Sequence, residues 1–164
     1  MVGIYNLPNV LAAVATGKYF KVPDDSIKNA VESYRPSNSR SQLLKKGGNT
    51  VILDAYNANP SSMKAAIENF AQMQGANKIL ALGAMAELGE TSVQEHARII
   101  EEIEKYPWKQ VVLVGGDFIK LKHSYQQFNS PQEAGKWLKG KTKGAYILVK
   151  GSRSMQMEKV LDYL

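Results

Sequence analysis

At 164 residues, 44% hydrophobic and 22% charged, the chain has the balance of a soluble globular domain, or of one domain with a short extra piece. It has no cysteine, which excludes disulfides, thiolate zinc sites and cysteine nucleophiles and fits a reducing cytoplasm. Its formal net charge of +6 suits an anionic partner, but the basic clusters are short (Lys45-Lys46, then Lys136, Lys139, Lys141 and Lys143) and only Trp137 lies among them. That is too little for a base-stacking platform, so they read as solvated faces and no nucleic acid is expected.

Residues 7–20, LPNVLAAVATGKYF, carry Leu7, Val10, Leu11 and Val14 at helical spacing, and Gly17 reads as the stop. Pro23-Asp24-Asp25-Ser26 reads as the start of a second helix with Ile27, Ala30, Val31 and Tyr34 on one face. Arg35-Pro36-Ser37-Asn38-Ser39 has linker composition, so the expected division is 1–36 and 37–164. Beyond it, Ser41–Leu44 reads as a short strand. Lys46-Gly47-Gly48-Asn49 is a turn, and Thr50–Asp54 a buried strand. A helix over Ser61–Gln74 turns Met63, Ala66, Ile67, Phe70 and Met73 inward. Lys78–Gly83 is a second core strand. A helix over Ser92–Tyr106 is expected to turn Val93, Ala97, Ile100 and Ile103 inward. Gln110–Val114 and Tyr146–Val149 are further core strands. Pro131–Leu138 reads as a short helix and Ser154–Leu164 as a final one.

Continuous apolar, often β-branched runs separated by amphipathic helices predict an α/β fold: a Rossmann-like, mostly parallel sheet with helices on both faces, preceded by the short helical segment. Ligands of such sheets bind beyond the carboxyl ends of the strands. Here those ends are Asp54-Ala55-Tyr56-Asn57, Gly83-Ala84-Met85, Gly115-Gly116-Asp117 and Lys150-Gly151-Ser152. No apolar run approaches the roughly 20 residues needed to span a bilayer, and the N-terminus has no secretory pattern.

Asp54 ends a hydrophobic strand, where a carboxylate can accept from a ribose or hold a cation; taken alone, a turn or capping role is the better reading. Asn57 and Asn59 before Pro60 supply amide donors and acceptors beyond what one cap requires, since Ser61 or Ser62 could cap as well. Lys150-Gly151-Ser152-Arg153-Ser154 puts two cations and hydroxyls at a strand-to-helix junction, as much an anion cradle as an ordinary loop. Arg40 and Glu87 alone read as surface charges. His96 reads as structural, and with His123 as its only companion no zinc site is expected. There is no GxxxxGK[ST] phosphate loop. The chain shows half a site.

Jointly, DAYNANPSSM (54–63), GAMAELG (83–89) followed by His96, and LVKGSRSMQME (148–158) resemble the Mur ligase family, in order and spacing. Gly3-Ile4-Tyr5-Asn6-Leu7-Pro8-Asn9 looks like the end of that family's central ATPase domain, so the resemblance covers essentially the whole chain. Within the family, the likeness is to the members that join D-alanyl-D-alanine to UDP-N-acetylmuramoyl-tripeptide.

The resemblance implies an ATP-dependent, peptide-bond-forming ligase of peptidoglycan synthesis, cytoplasmic and monomeric. ATP phosphorylates the tripeptide carboxylate, and the dipeptide amine attacks the acyl phosphate. This chain would hold the last helices of the central domain and all of the C-terminal one. The phosphate loop and the Mg2+ sites would lie elsewhere, leaving the isolated chain inactive. By position, Asn6 and Asn9 match asparagines near the adenine, Arg40 the arginine that reaches the ATP phosphates, and Asp54 the aspartate near the ribose. Asn57, Asn59, Lys150, Ser152 and Arg153 fall in loops that look like the dipeptide side. Tyr5 and Ala84 depart from the histidine and aspartate of many members. Two readings compete: a sibling ligase with another amino-acid substrate, and a non-catalytic Rossmann-type module that binds a nucleotide or peptide.

Overall fold

A computed structural model of the chain describes residues 6–164; Gly3–Tyr5 of the opening motif lie outside them. Two helices come first, α1 (Leu7–Tyr19) and α2 (Asp24–Ser33). They pack on each other through Ile27, the buried residue of α2. Gly17 is not the stop of α1. It lies inside the helix, where a Cβ would come within 2.8 Å of the Ile27 side chain, so its smallness lets the two helices approach. Lys21, at φ +56°, takes the left-handed position instead.

A hairpin follows, β1 (Gln42–Lys46) and β2 (Asn49–Asp54), antiparallel. Gly47 and Gly48 both take positive φ, as a two-residue primed turn requires. Then come α3 (Pro60–Gln72), β3 (Lys78–Gly83), α4 (Ser92–Glu104), β4 (Gln110–Val114), β5 (Gln126–Phe128), α5 (Pro131–Leu138) and β6 (Tyr146–Lys150). The sheet order is β1-β2-β6-β3-β4-β5, and every pairing except the hairpin is parallel. The last strand therefore lies between β2 and β3. The short edge strand β5 carries no apolar run and was not expected.

Alternate residues of each central strand feed opposite faces. Ile52, Leu80, Leu82, Leu113 and Leu148 pack with Met63, Ile67 and Phe70 of α3 and Ile99 and Ile103 of α4. Val51, Leu53, Ile79, Ala81, Val112, Ile147 and Val149 pack with Ala134 and Leu138 of α5 and with Met157 and Val160. Each face is thus closed by its own helical layer, which satisfies the backbone and the apolar surface of a parallel sheet together.

Two expected elements differ. Residues 154–164 form no α-helix but two 3-10 segments, Arg153–Met155 and Met157–Tyr163, divided by left-handed Gln156. Met155 and Met157, two residues apart, both pack on the sheet, which one helical face cannot achieve. On α4, Val93 is 45% exposed, while His96 and Ile99 turn inward beside Ile100 and Ile103. The helix is rotated because His96 is held from inside, as described next.

Candidate functional site

The insertion of β6 beside β2 puts Lys150 in register with Asp54. At this carboxyl edge the Lys150 Nζ lies 2.6 Å from Asp54 Oδ2, with the lysine side chain only 3% exposed. The same ammonium donates to the Asn57 carbonyl at 3.1 Å. A cation so buried needs a charged partner, and Asp54 provides it. The other oxygen, Oδ1, accepts from the Ser41 backbone N–H at 3.0 Å and is 3.3 Å from its hydroxyl. Asp54 therefore joins β6 to the segment that precedes β1.

That segment is bent against its own preference. Asn38, Ser39 and Ser41 all have positive φ, at roughly 1–2 kcal/mol for each such residue. Side chains hold it: Gln42 accepts from the Ser39 N–H at 2.9 Å and donates to the Pro36 carbonyl at 3.0 Å. Arg40 then projects outward with its guanidinium 3.7 Å above the centre of the Tyr56 ring, a cation–π contact that orients an otherwise floppy side chain. Beside it opens a cavity of about 640 Å³ whose polar end is formed by Asn6, Asn9, Arg40 and Ser41, and whose apolar wall includes Val10, Ile27 and Val31. Asn9 Nδ2 donates to Asn6 Oδ1 at 3.3 Å.

The neighbouring loops are built for close approach. A Cβ on Gly151 would lie 3.0 Å from the Gly83 Cα, and one on Gly83 would lie 2.6 Å from Met157 Cγ. Ser152 is buried, and its hydroxyl donates to the Ala84 carbonyl at 2.8 Å. His96 Nε2 accepts from the Met85 N–H at 3.0 Å, and Nδ1 is 2.7 Å from the Ser92 carbonyl. Only the Nδ1–H tautomer serves both contacts. The ring meets Phe118 edge-on, so His96 is the structural residue expected, and it fixes where the Ala84–Gly89 loop begins. Beyond β4, Lys120 and Ser92 hold the Asp117 carboxyl below its ordinary range.

Arg40, Asp54, Asn57 and Lys150 are thus brought together, and Asn6 and Asn9 share the adjoining cavity with Arg40. Arg153 is exposed at the same edge and pairs with Glu158 at 2.8 Å. Asn59 caps α3: its Oδ1 accepts from the Ser62 N–H at 2.8 Å and the Ser62 hydroxyl accepts from the Asn59 N–H. Ser152 is committed to Ala84. Glu87 is an exposed residue at φ +63°. Ser41 and Tyr56 were missed. Tyr56 lay within the DAYNANP motif and could have been paired with a nearby cation; Ser41 carries no local signal. Among the described residues no group of three or more His, Cys, Asp or Glu is arranged to hold a metal ion, and no helix is long and apolar enough to cross a membrane.

A family model described as the glutamate ligase domain of Mur ligases matches residues 39–153. A UDP-N-acetylmuramoyl-tripeptide–D-alanyl-D-alanine ligase of Bacillus subtilis is 33% identical over 100% of the chain and 38% of its own length. Among solved structures, MurF from Acinetobacter baumannii matches 98% of the chain with a TM-score of 0.84 and 28% identity. MurF ligase from Thermotoga maritima, solved in complex with ADP, matches 96% with a TM-score of 0.81 and 25% identity. The chain spans 37% of each of those two structures.

Proposed function

The chain belongs to the Mur ligase family, and from that premise we propose that it is the C-terminal part of the ATP-dependent ligase joining D-alanyl-D-alanine to UDP-N-acetylmuramoyl-tripeptide. Residues 1–36 are then the helical tail of the central ATPase domain with its linker, and 37–164 the C-terminal domain. The whole enzyme works as a cytoplasmic monomer in peptidoglycan precursor synthesis.

The observation that carries this reading is that Ser41, bonded to Asp54, and Tyr56, beneath the Arg40 guanidinium, hold Arg40 and Asp54 on the same side of the sheet's carboxyl edge, beside the cavity lined by Asn6 and Asn9. The residues suit a nucleotide. Asn6 and Asn9 offer amide donors and acceptors to an adenine edge. Asp54 Oδ2 accepts one bond from Lys150 and has capacity for a second, from a ribose hydroxyl. The Arg40 guanidinium, planar and already oriented on Tyr56, is suited to a phosphate oxygen. Phosphorylation converts the tripeptide carboxylate into an acyl phosphate that an amine can attack. Mg2+ and the phosphate loop are assigned to the part of the enzyme beyond this chain.

For the dipeptide, Asn57, whose Oδ1 accepts from the Ala58 N–H at 2.8 Å and whose amide donors face outward from that bond, and Arg153, exposed and paired with Glu158, are the side chains we assign to it, and Asn59, Lys150 and Ser152 shape the loops that carry them. These loops close over the nucleotide and hold the amine near the activated carbonyl, a proximity effect. The test is phosphate release by the complete gene product with UDP-N-acetylmuramoyl-tripeptide, ATP and a panel of amines. Turnover with D-alanyl-D-alanine alone is expected. Preference for a free amino acid would favour the sibling ligase, and no turnover with any amine the non-catalytic module.

A further inference from the structure

Lys150 belongs to the motif that resembles the dipeptide side, yet its ammonium is turned away from solvent and committed to two acceptors, Asp54 Oδ2 at the end of β2 at 2.6 Å and the Asn57 carbonyl in the loop that follows at 3.1 Å. We infer that Lys150 is a positioning residue for the nucleotide half of the reaction: by holding Asp54, it seats Ser41 and so aims Arg40, and it does not touch the dipeptide. The inference rests on the ligase reading above.

The geometry supplies each link. Asp54 has two oxygens and divides them, Oδ2 to Lys150 and Oδ1 to the Ser41 N–H and hydroxyl. Ser41 has φ +47° and follows two other left-handed residues of the linker, Asn38 and Ser39. A non-glycine backbone in that region keeps its shape only while neighbours over-determine it, and the Asp54 carboxylate is the neighbour that fixes its end. Arg40 immediately precedes Ser41, and its guanidinium rests on Tyr56, two residues beyond Asp54. Without the ammonium, the carboxylate would be free to rotate toward water, and the linker would lose the acceptor that fixes Ser41. Lys150 also holds the Asn57 carbonyl, and with it the turn that presents Tyr56. One buried cation therefore sets both the residue that aims Arg40 and the ring on which it rests.

The test is steady-state kinetics on the complete ligase for Lys150→Met, Asp54→Asn and the double variant, with KM measured separately for ATP and for D-alanyl-D-alanine. Lys150→Met is expected to raise KM for ATP about tenfold and to leave KM for the dipeptide within about twofold. The double variant should be no worse than the more affected single one, because both act through one carboxylate. A merely structural lesion would lower the active fraction and move neither KM. A tenfold rise in dipeptide KM, or multiplicative effects in the double variant, would overturn the inference while leaving the ligase reading intact. Absence of ligation by the unaltered enzyme would end both. Should Lys150→Met not fold, Ser41→Ala gives the same split on a smaller scale, raising KM for ATP a few-fold through loss of the hydroxyl link. An unchanged KM for ATP in Ser41→Ala would overturn the inference equally.

Discussion

Lys150 and Asp54, 96 residues apart in sequence, meet at 2.6 Å because β6 is inserted beside β2. Removing one partner of such a buried pair leaves the other uncompensated, at about 3–5 kcal/mol. Urea unfolding of this chain should show that loss for Lys150→Met. Pairing it with Asp54→Asn should recover part of the loss, since the stranded carboxylate is then neutral. Equal midpoints for Lys150→Met and the unaltered chain would refute the pairing.

His96 fills two roles with one ring, accepting from Met85 and packing on Phe118. His96→Ala leaves a buried N–H without an acceptor and a void beside the ring. The expected cost is about 2–4 kcal/mol by denaturant unfolding. His96→Gln, which can still reach with an acceptor oxygen, should lose less.

Asn59 closes α3 with a reciprocal cap. Asn59→Ala is expected to cost about 1 kcal/mol, a fall in Tm of roughly 2–4 °C for a domain of this size. Asn59→Ser should restore most of it. In the complete enzyme, a raised dipeptide KM in Asn59→Ala, which a loss of folded fraction cannot produce, would return Asn59 to the substrate surface.

Asp117 contributes a pH dependence in the acid range. Lys120 first, then Ser92, stabilise its charged form and lower its folded pKa. A carboxyl depressed on folding contributes stability that is fully present above its unfolded pKa, near 4. That contribution is lost as pH falls through the lower folded value, because protonation then favours the unfolded chain. Asp117→Asn should therefore reduce stability at pH 7 and flatten its decline between about pH 5 and pH 2. A parallel decline in both proteins would show that Asp117 contributes nothing.

The helix α1 has no buried residue, and Leu7 and Leu11 are exposed. Its amides should exchange with solvent far faster than those of β3, whose Ile79–Leu82 are fully buried. Exchange as slow in α1 as in β3 would show that the helix is held by more than its contact with α2.

The core strands, the two faces of helices and the placement of Asp54, Asn57 and Lys150 at the strands' carboxyl ends were legible in sequence because they depend on local periodicity. Runs such as Thr50–Asp54 and Lys78–Gly83 have to be buried strands wherever they end up, and Met63, Ile67 and Phe70 have to share a helical face. The primed turn at Gly47-Gly48 follows from which residues tolerate positive φ. Local pattern failed where a distant partner outweighed it. The phase of α4 was set by the bond from Met85 to His96, and the final α-helix gave way to the packing of partly buried Met155 and buried Met157 on either side of Gln156. Gly17 looked like a stop and proved to be a contact with Ile27. The contacts of Lys150 with Asp54 and of Ser152 with Ala84 were decided by strand order, which sets β6 between β2 and β3. Hydrogen bonds and ion pairs act over about 3 Å, and only the folded sheet brings residue 150 within that distance of residue 54.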